Sequence, residues 1–323
     1  MWVATYTGGL NCFDRDKEQF VRFRADEKRP NRISMDKLFA IEPDGKGGLW
    51  IATAGRGFNH FDLIDTFKTW KEDEGKPGLL MGSTITGRLK RDKQGQLWIG
   101  TNKGVCRFDP ERKSFEYFPF AAGHDKSLSD GFVTDIYEDK KGDIWLGTAN
   151  GLNRWEADKK RFEKYYFSNR FPNKNKNYDY ILDMLEGEDG KLWLGTNAGL
   201  LLFDVENNYC ERFLHNADNP FSIKEGPVNI VVKDRENNIW LSTNNGISIL
   251  NTTAGKFNHP VFQPIRESFG QITEAEGINA VLEVDNALWL ATQKGIYRYL
   301  FRGAPQLIMP GNFTALFYDK NTA

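Results

Sequence analysis

The chain of 323 residues carries 43 Lys and Arg against 44 Asp and Glu, a formal net charge of -1, so it has no global positive field to hold a nucleic-acid backbone. It contains no apolar run of about 18 residues or more and no secretory h-region, so neither a membrane-spanning helix nor a signal peptide is expected in it. Cys12, Cys106 and Cys210 are an odd number on strand-like stretches, and they read as small buried hydrophobes rather than a disulfide framework.

The first element is a strand, Trp2 to Thr5, directly after Met1. The same run returns at Trp50, Trp98, Trp145, Trp193, Trp240 and Trp289, at spacings of 47 to 49 residues, a period that signals a repeat architecture. Each Trp is followed by an aliphatic residue, then Gly, Ala or Ser, then Thr: Thr5, Thr53, Thr101, Thr148, Thr196, Thr243 and Thr292. As a strand, Trp and the small residue share one face, the aliphatic residue and Thr the other. Neither face is polar enough for water, so the strand is expected to be sandwiched between neighbouring sheets.

Three residues before the Trp stands Gly47, Gly95, Gly142, Gly190, Asn237 or Asn286, residue types that accept positive φ in a tight hairpin. In the unit built around Gly142 to Arg154, an earlier strand is expected over Phe132 to Tyr137 and two later ones over Leu152 to Trp155 and Phe162 to Phe167. Four antiparallel strands per unit of this length predict a β-propeller blade. The chain starts inside a blade, like a piece of a longer protein, and Asn312 to Asp319 reads as a surplus first strand before Lys320 to Ala323. The expected fold is therefore all-β: a single seven-bladed β-propeller over residues 1–323, its ring closed by strands from both termini.

Candidate chemistry is sparse. His60, His124, His215 and His259 lie in different repeats without ligand spacing, no GxSxG, HExxH or P-loop occurs, and the acidic turns at Glu188-Asp189-Gly190 and Asp92 to Gly95 read as hairpins rather than calcium loops. No catalytic residue, metal or cofactor is expected. His124 and His215 read as solvated loop residues. Binding is expected at the loops after the repeat Thr, which carry Tyr6, Arg56, Lys103, Asn150, Asn197, Asn245 and Lys294, hydrogen-bonding groups suited to sugar hydroxyls. Two of these loops, TYTGGL (Thr5 to Leu10) and TAGRGF (Thr53 to Phe58), are one residue longer than TNKGV (Thr101 to Val105). The pair carrying Tyr6 and Arg56 is thus the first place to look. Trp70 and Trp155 match Phe positions of other repeats and read as packing. Phe120, Phe171, Tyr178, Phe221 and Phe269 lie in blade-to-blade connections and read as plugs under the loops. Lys159, Lys160, Arg161, Lys164, Arg170, Lys174 and Lys176 read as a solvated rim, with an acidic partner as the alternative.

The runs DKQGQLWIGTNKGVCRFD (Asp92 to Asp109) and DKKGDIWLGTANGLNRW (Asp139 to Trp155) resemble the two-component regulator propeller repeat, as does the joining segment HDKSLSDGFVTDIYED (His124 to Asp139). The resemblance implies the periplasmic sensor of a hybrid two-component histidine kinase, with an oligosaccharide as signal. Such sensors carry two propellers, an immunoglobulin-like domain, a membrane helix, a kinase and a regulator; only propeller repeats are present in this chain. Alternatives are an interaction scaffold, docking a second propeller or a homodimer mate, and a lyase, since streptogramin lyase shares the seven-bladed plan.

Overall fold

Every Trp-aliphatic-small-Thr run is a strand buried along its whole length, so neither face meets water. In the computed structural model the described residues are 1–14, 17, 19–29, 31–62, 66–70, 84–171, 177–187, 189–219, 221–234, 237–250, 262–264, 278–284, 286–300 and 305–317, with 262–264 described as backbone only. Among them are seven four-stranded sheets.

The first sheet holds β28 (Phe313–Phe317), β1 (Trp2–Thr5), β2 (Leu10–Asp14) and β3 (Gln19–Phe23), in that order. The second runs β4 (Leu38–Pro43), β5 (Leu49–Thr53), β6 (Phe58–Phe61) and β7 (Phe67–Trp70); the third β8 (Ile85–Arg91), β9 (Leu97–Thr101), β10 (Gly104–Asp109) and β11 (Ser114–Pro119). β12 (Val133–Glu138), β13 (Ile144–Thr148), β14 (Gly151–Glu156) and β15 (Arg161–Tyr165) form the fourth, and β16 (Ile181–Glu186), β17 (Leu192–Thr196), β18 (Gly199–Asp204) and β19 (Tyr209–Phe213) the fifth. The sixth is β20 (Val228–Lys233), β21 (Ile239–Thr243), β22 (Gly246–Leu250) and β23 (Phe262–Pro264); the seventh is β24 (Ile278–Val284), β25 (Ala287–Thr292), β26 (Gly295–Tyr299) and β27 (Gln306–Pro310). This is a seven-bladed β-propeller of four-stranded antiparallel blades.

Two compact units divide the chain: Met1–Leu146 with Asn153–Lys164 and Asn312–Ala323, and Gly147–Leu152 with Tyr165–Gly311. In the first unit the surplus strand meets the incomplete blade as expected, Trp2 opposite Phe317 and Thr5 opposite Phe313. Thr314 Oγ1 also donates to the Leu38 carbonyl at 3.0 Å, so the closing strand is tied to the second blade as well. Within the units, five repeat Trp pack into the next sheet: in the first, Trp2 with Leu49, Phe61 and Phe67, Trp50 with Ile85, Leu97 and Phe108, Trp98 with Ile144 and Trp155. In the second unit Trp193 meets Val228, Ile239 and Leu241, and Trp240 meets Ile278, Leu288 and Leu290. The small residue two places after the Trp allows this approach: a Cβ on Gly195 would come within 2.4 Å of the Val228 carbonyl oxygen.

The hairpins turn where the sequence places them, with positive φ at Gly47, Gly95, Gly142, Gly190, Asn237 and Asn286. Trp155 is buried against Phe118 and Phe162, and Tyr178 is fully buried. Phe171 packs on Tyr178 at 5.0 Å, whereas Phe120 and Phe221 are exposed rather than acting as plugs. Connections on a loop surface need not bury every ring, because the blade core is already filled by the repeat aromatics. Phe269, His259, Lys174, Lys176, Glu188 and residues 318–323 lie outside the described residues.

Candidate functional site

The Thr that ends each second strand closes the loop after it. Thr101 Oγ1 donates to the Gly104 carbonyl at 2.7 Å and accepts the Lys103 N–H at 3.2 Å. Thr148, Thr196, Thr243 and Thr292 reach three residues ahead in the same way. In the first two blades the reach is four residues, Thr5 to Gly9 at 2.9 Å and Thr53 to Gly57 at 2.7 Å. The extra residue thus bulges the loop without losing its closure.

All seven predicted loop residues are exposed. Tyr6 and Arg56 flank one connection, residues 24–37. Gly9 N–H donates to the Asp36 carbonyl at 3.0 Å and Ala54 N–H to the Lys37 carbonyl at 2.9 Å, which holds both lengthened loops against that connection. The Tyr6 ring, 37% exposed, has the Lys37 ammonium 4.1 Å from its centroid. Arg56 pairs with Glu27 at 3.1 Å, both side chains open to solvent, an interaction worth at most about 1 kcal/mol. Lys103 stands apart from this pair, where Gly131 lets the chain pass within about van der Waals contact of Lys103 and Phe120. Phe120 and Phe132 are both exposed there. Asn150, Asn197, Asn245 and Lys294 belong to the second unit. Sequence reasoning missed Lys37 and Glu27, which come from a connection with no repeat pattern, and read Phe132 as part of a strand that in fact begins one residue later, at Val133.

The opposite end of the strands carries a second recurring device. Asp92 accepts the Gln96 N–H and the Trp98 indole N–H, each at 2.8 Å, so one buried carboxylate closes the hairpin and fixes the Trp. Asp139 does the same for Asp143 and Trp145, Asp234 for Asn238 and Trp240. Hairpin geometry therefore accounts for these acids. The second blade departs: Asp44 closes its hairpin through Gly48 at 2.8 Å, but its second oxygen bonds His60 Nε2 at 2.8 Å instead of the Trp50 indole. His60 lies opposite Trp50 in the ladder, where Trp98 faces Arg107 and Trp289 faces Arg298. Cys12, Leu202 and Ile249 face the Trp in three further blades, so the position varies, and the available signal was a His at it.

Among the described residues no three or more His, Cys, Asp and Glu side chains are placed to hold a metal. His124 and His215 are exposed, His215 Nδ1 lying 3.0 Å from the Ile223 carbonyl. In the basic run, Lys159 and Arg161 pair with Glu156, Lys164 donates to the His124 carbonyl at 3.0 Å, and Arg170 to the Asn208 carbonyl at 2.9 Å. Cys12, Cys106 and Cys210 form no disulfide; burial pushes Cys210 up to about 12, so it stays protonated.

Residues 79–103, 127–150 and 175–198 match the family model of the two component regulator propeller. No curated protein matches the sequence. Among solved structures, the extracellular domain of the BT3049 hybrid two component system from B. thetaiotaomicron aligns with 99% of this chain at 21% identity and a TM-score of 0.62. This chain spans 41% of that domain. Virginiamycin B lyase from Staphylococcus aureus aligns with 81% of this chain and 80% of its own at 16% identity and a TM-score of 0.58. PorZ, a surface component of the type-IX secretion system of Porphyromonas gingivalis, aligns with 87% of this chain and 41% of its own, at 15% identity and a TM-score of 0.59. At these identities the likenesses concern the fold, and no helix among the described residues is long and apolar enough to cross a membrane. Three stretches of the chain are thus similar to the two component regulator propeller repeat, and the chain as a whole has the fold of a seven-bladed propeller.

Proposed function

We propose that this chain is a non-catalytic, extracytoplasmic sensing propeller of a hybrid two-component system that binds an oligosaccharide at the loop face of its first two blades. The observation that carries this reading is the pair of lengthened loops, which place an exposed Tyr6 ring, Lys37 and Arg56 around one connection. A flat ring beside hydrogen-bonding cations suits a sugar, whose C–H face stacks while its hydroxyls find donors and acceptors. The family match and the likeness to an extracellular sensor domain support the same class of function. Because the chain spans less than half of that domain, signalling itself belongs to the longer protein.

Thermal unfolding against plant, host and microbial oligosaccharides tests the proposal. One glycan class should raise the midpoint saturably, by the equivalent of about 2.7 kcal/mol at a hundredfold excess over its dissociation constant. Tyr6→Ala and Arg56→Ala should abolish the shift. A full panel without a shift, or a shift that survives both substitutions, removes this site. The scaffold reading would then lead. It is favoured by one observation of its own, the exposed Phe120 and Phe132 beside Lys103, and it predicts concentration-dependent association lost on Phe132→Ser.

A further inference from the structure

Between the hairpin end of the second blade and that of the third lies a groove of about 780 Å³, within the size range of small-ligand sites. It lies at the opposite ends of the strands from Tyr6 and Arg56. Three side chains at it combine a place in the packing with a group left open to a ligand. Trp50 lines it, and its indole N–H, unlike those of Trp98, Trp145 and Trp240, has no acceptor among the described residues, because His60 has taken Asp44. Arg91 lines it with a half-buried guanidinium that has no carboxylate or carbonyl partner among the described residues, being packed against Gly45 and Gly95. Trp70 stacks one ring face on Phe58, at 5.4 Å and 5°, and is itself only half-buried where it meets the groove.

The other cations at the groove are accounted for. Lys46 is held by Glu111 at 2.7 Å, an ion pair that joins the second blade's hairpin to the third blade's outer turn, and Arg112 lies 3.8 Å from Asp109. Lys68 and Lys113 are exposed. What is left is one sheltered positive charge, one unmet indole donor and an aromatic wall. A half-buried guanidinium held only by water can exchange that water for a ligand's anion, and its planar fork matches a carboxylate.

We infer that this groove binds an acidic sugar, with the ring of a uronic acid against Trp70, its carboxylate on Arg91 and a ring or hydroxyl oxygen accepting from Trp50. Inorganic anions would leave the aromatic wall unused. A neutral sugar would leave Arg91 unmet. The site is separate from the loop face, so either can stand without the other.

Isothermal titration with digalacturonate, and in parallel with its neutral counterpart galactobiose and with AMP, tests the assignment, tryptophan emission providing an independent readout at Trp50 and Trp70. Digalacturonate should bind with a dissociation constant below about 1 mM and shift the emission. Galactobiose should bind at least about tenfold more weakly, as should digalacturonate to Arg91→Ala. Arg56→Ala should leave the affinity unchanged, which separates this site from the loop face. Arg91→Gln keeps the packing on Gly45 and Gly95 and decides the matter should the alanine variant lose its native circular dichroism; Trp70→Phe should weaken binding while keeping the stack on Phe58. Equal affinity for galactobiose, undiminished affinity in a folded Arg91 variant, absence of digalacturonate binding, or binding of AMP alone would each overturn the proposal.

Discussion

Trp98 and Trp155 hold their indole nitrogens in opposite circumstances. Trp98 donates to buried Asp92, whereas the Trp155 N–H is buried with no partner among the described residues, at the repeat position where Phe61, Phe108 and Phe203 stand in other blades. Replacing a ring whose polar atom is unsatisfied removes a desolvation cost that offsets the smaller buried area. Trp155→Phe should therefore cost less than about 1 kcal/mol, while Trp98→Phe, which strands the Asp92 oxygen, should cost about 2 to 3 kcal/mol. Urea unfolding of the two variants side by side checks the contrast. Glu42 adds a pH dependence. Burial raises its carboxyl above the ordinary range, and Lys90 at 3.6 Å and the Arg91 N–H at 2.9 Å do not offset this. Between the ordinary value and the raised one the folded chain holds a proton that the unfolded chain has lost. The contribution is thus fully present below the unfolded pKa and is lost as pH rises through the folded one. Glu42→Gln should remove that slope: measured by unfolding from about pH 4 to 7, the native chain should lose stability relative to the variant as the pH rises.

At the scale of the element, what was legible in the sequence was whatever the repeat enforces. The second strands, the positive φ of their hairpins and the loop lengths of the first two blades all follow from residues that recur at a fixed period, since each must solve the same packing problem seven times. The Thr5 and Thr53 bonds to the fourth residue ahead, against the third elsewhere, are the physical form of the counted extra residue. The surroundings of that site were not legible. Lys37 reaches Tyr6, and Glu27 reaches Arg56, from a connection whose path is set by single bonds such as Ala25 N–H to Asp36 Oδ1 at 2.7 Å, which no periodicity announces. The hairpin-end groove was harder still. Trp70 fits the outer-strand rhythm of Phe118 and Phe213, so its pattern is that of a core ring. Only the register that sets His60 opposite Trp50, and thereby diverts Asp44, distinguishes it.

At the scale of the whole molecule, the closing strand joins residues 313–317 to the first blade, and its loss should be felt beyond its own contacts. Without it, the backbone edge of Trp2 to Thr5 would be unpaired, Phe313 would leave its buried position, and the bonds from Thr314 to Leu38 and from Tyr6 N–H to Asn312 would go. A bare β edge beside a buried Trp invites pairing with other chains. A chain ending at Gly311 should therefore lose more than about 4 kcal/mol, with aggregation near its midpoint, as measured by thermal unfolding with light scattering. A peptide spanning 312–317 should restore the transition when added in trans, because an extended segment recovers both ladder bonds and side-chain burial on an open edge. The truncation also separates stability from recognition. Tyr6 is anchored by the Asn312 carbonyl, so the loop-face sugar response should vanish with the strand and return with the peptide. Arg91 and Trp70 stand on the second and third blades, so digalacturonate binding should persist at temperatures where the truncated chain remains folded. A truncated chain that unfolds at the native midpoint would mean that β1 does not need its partner, and that the pairing of the two termini contributes nothing to the fold.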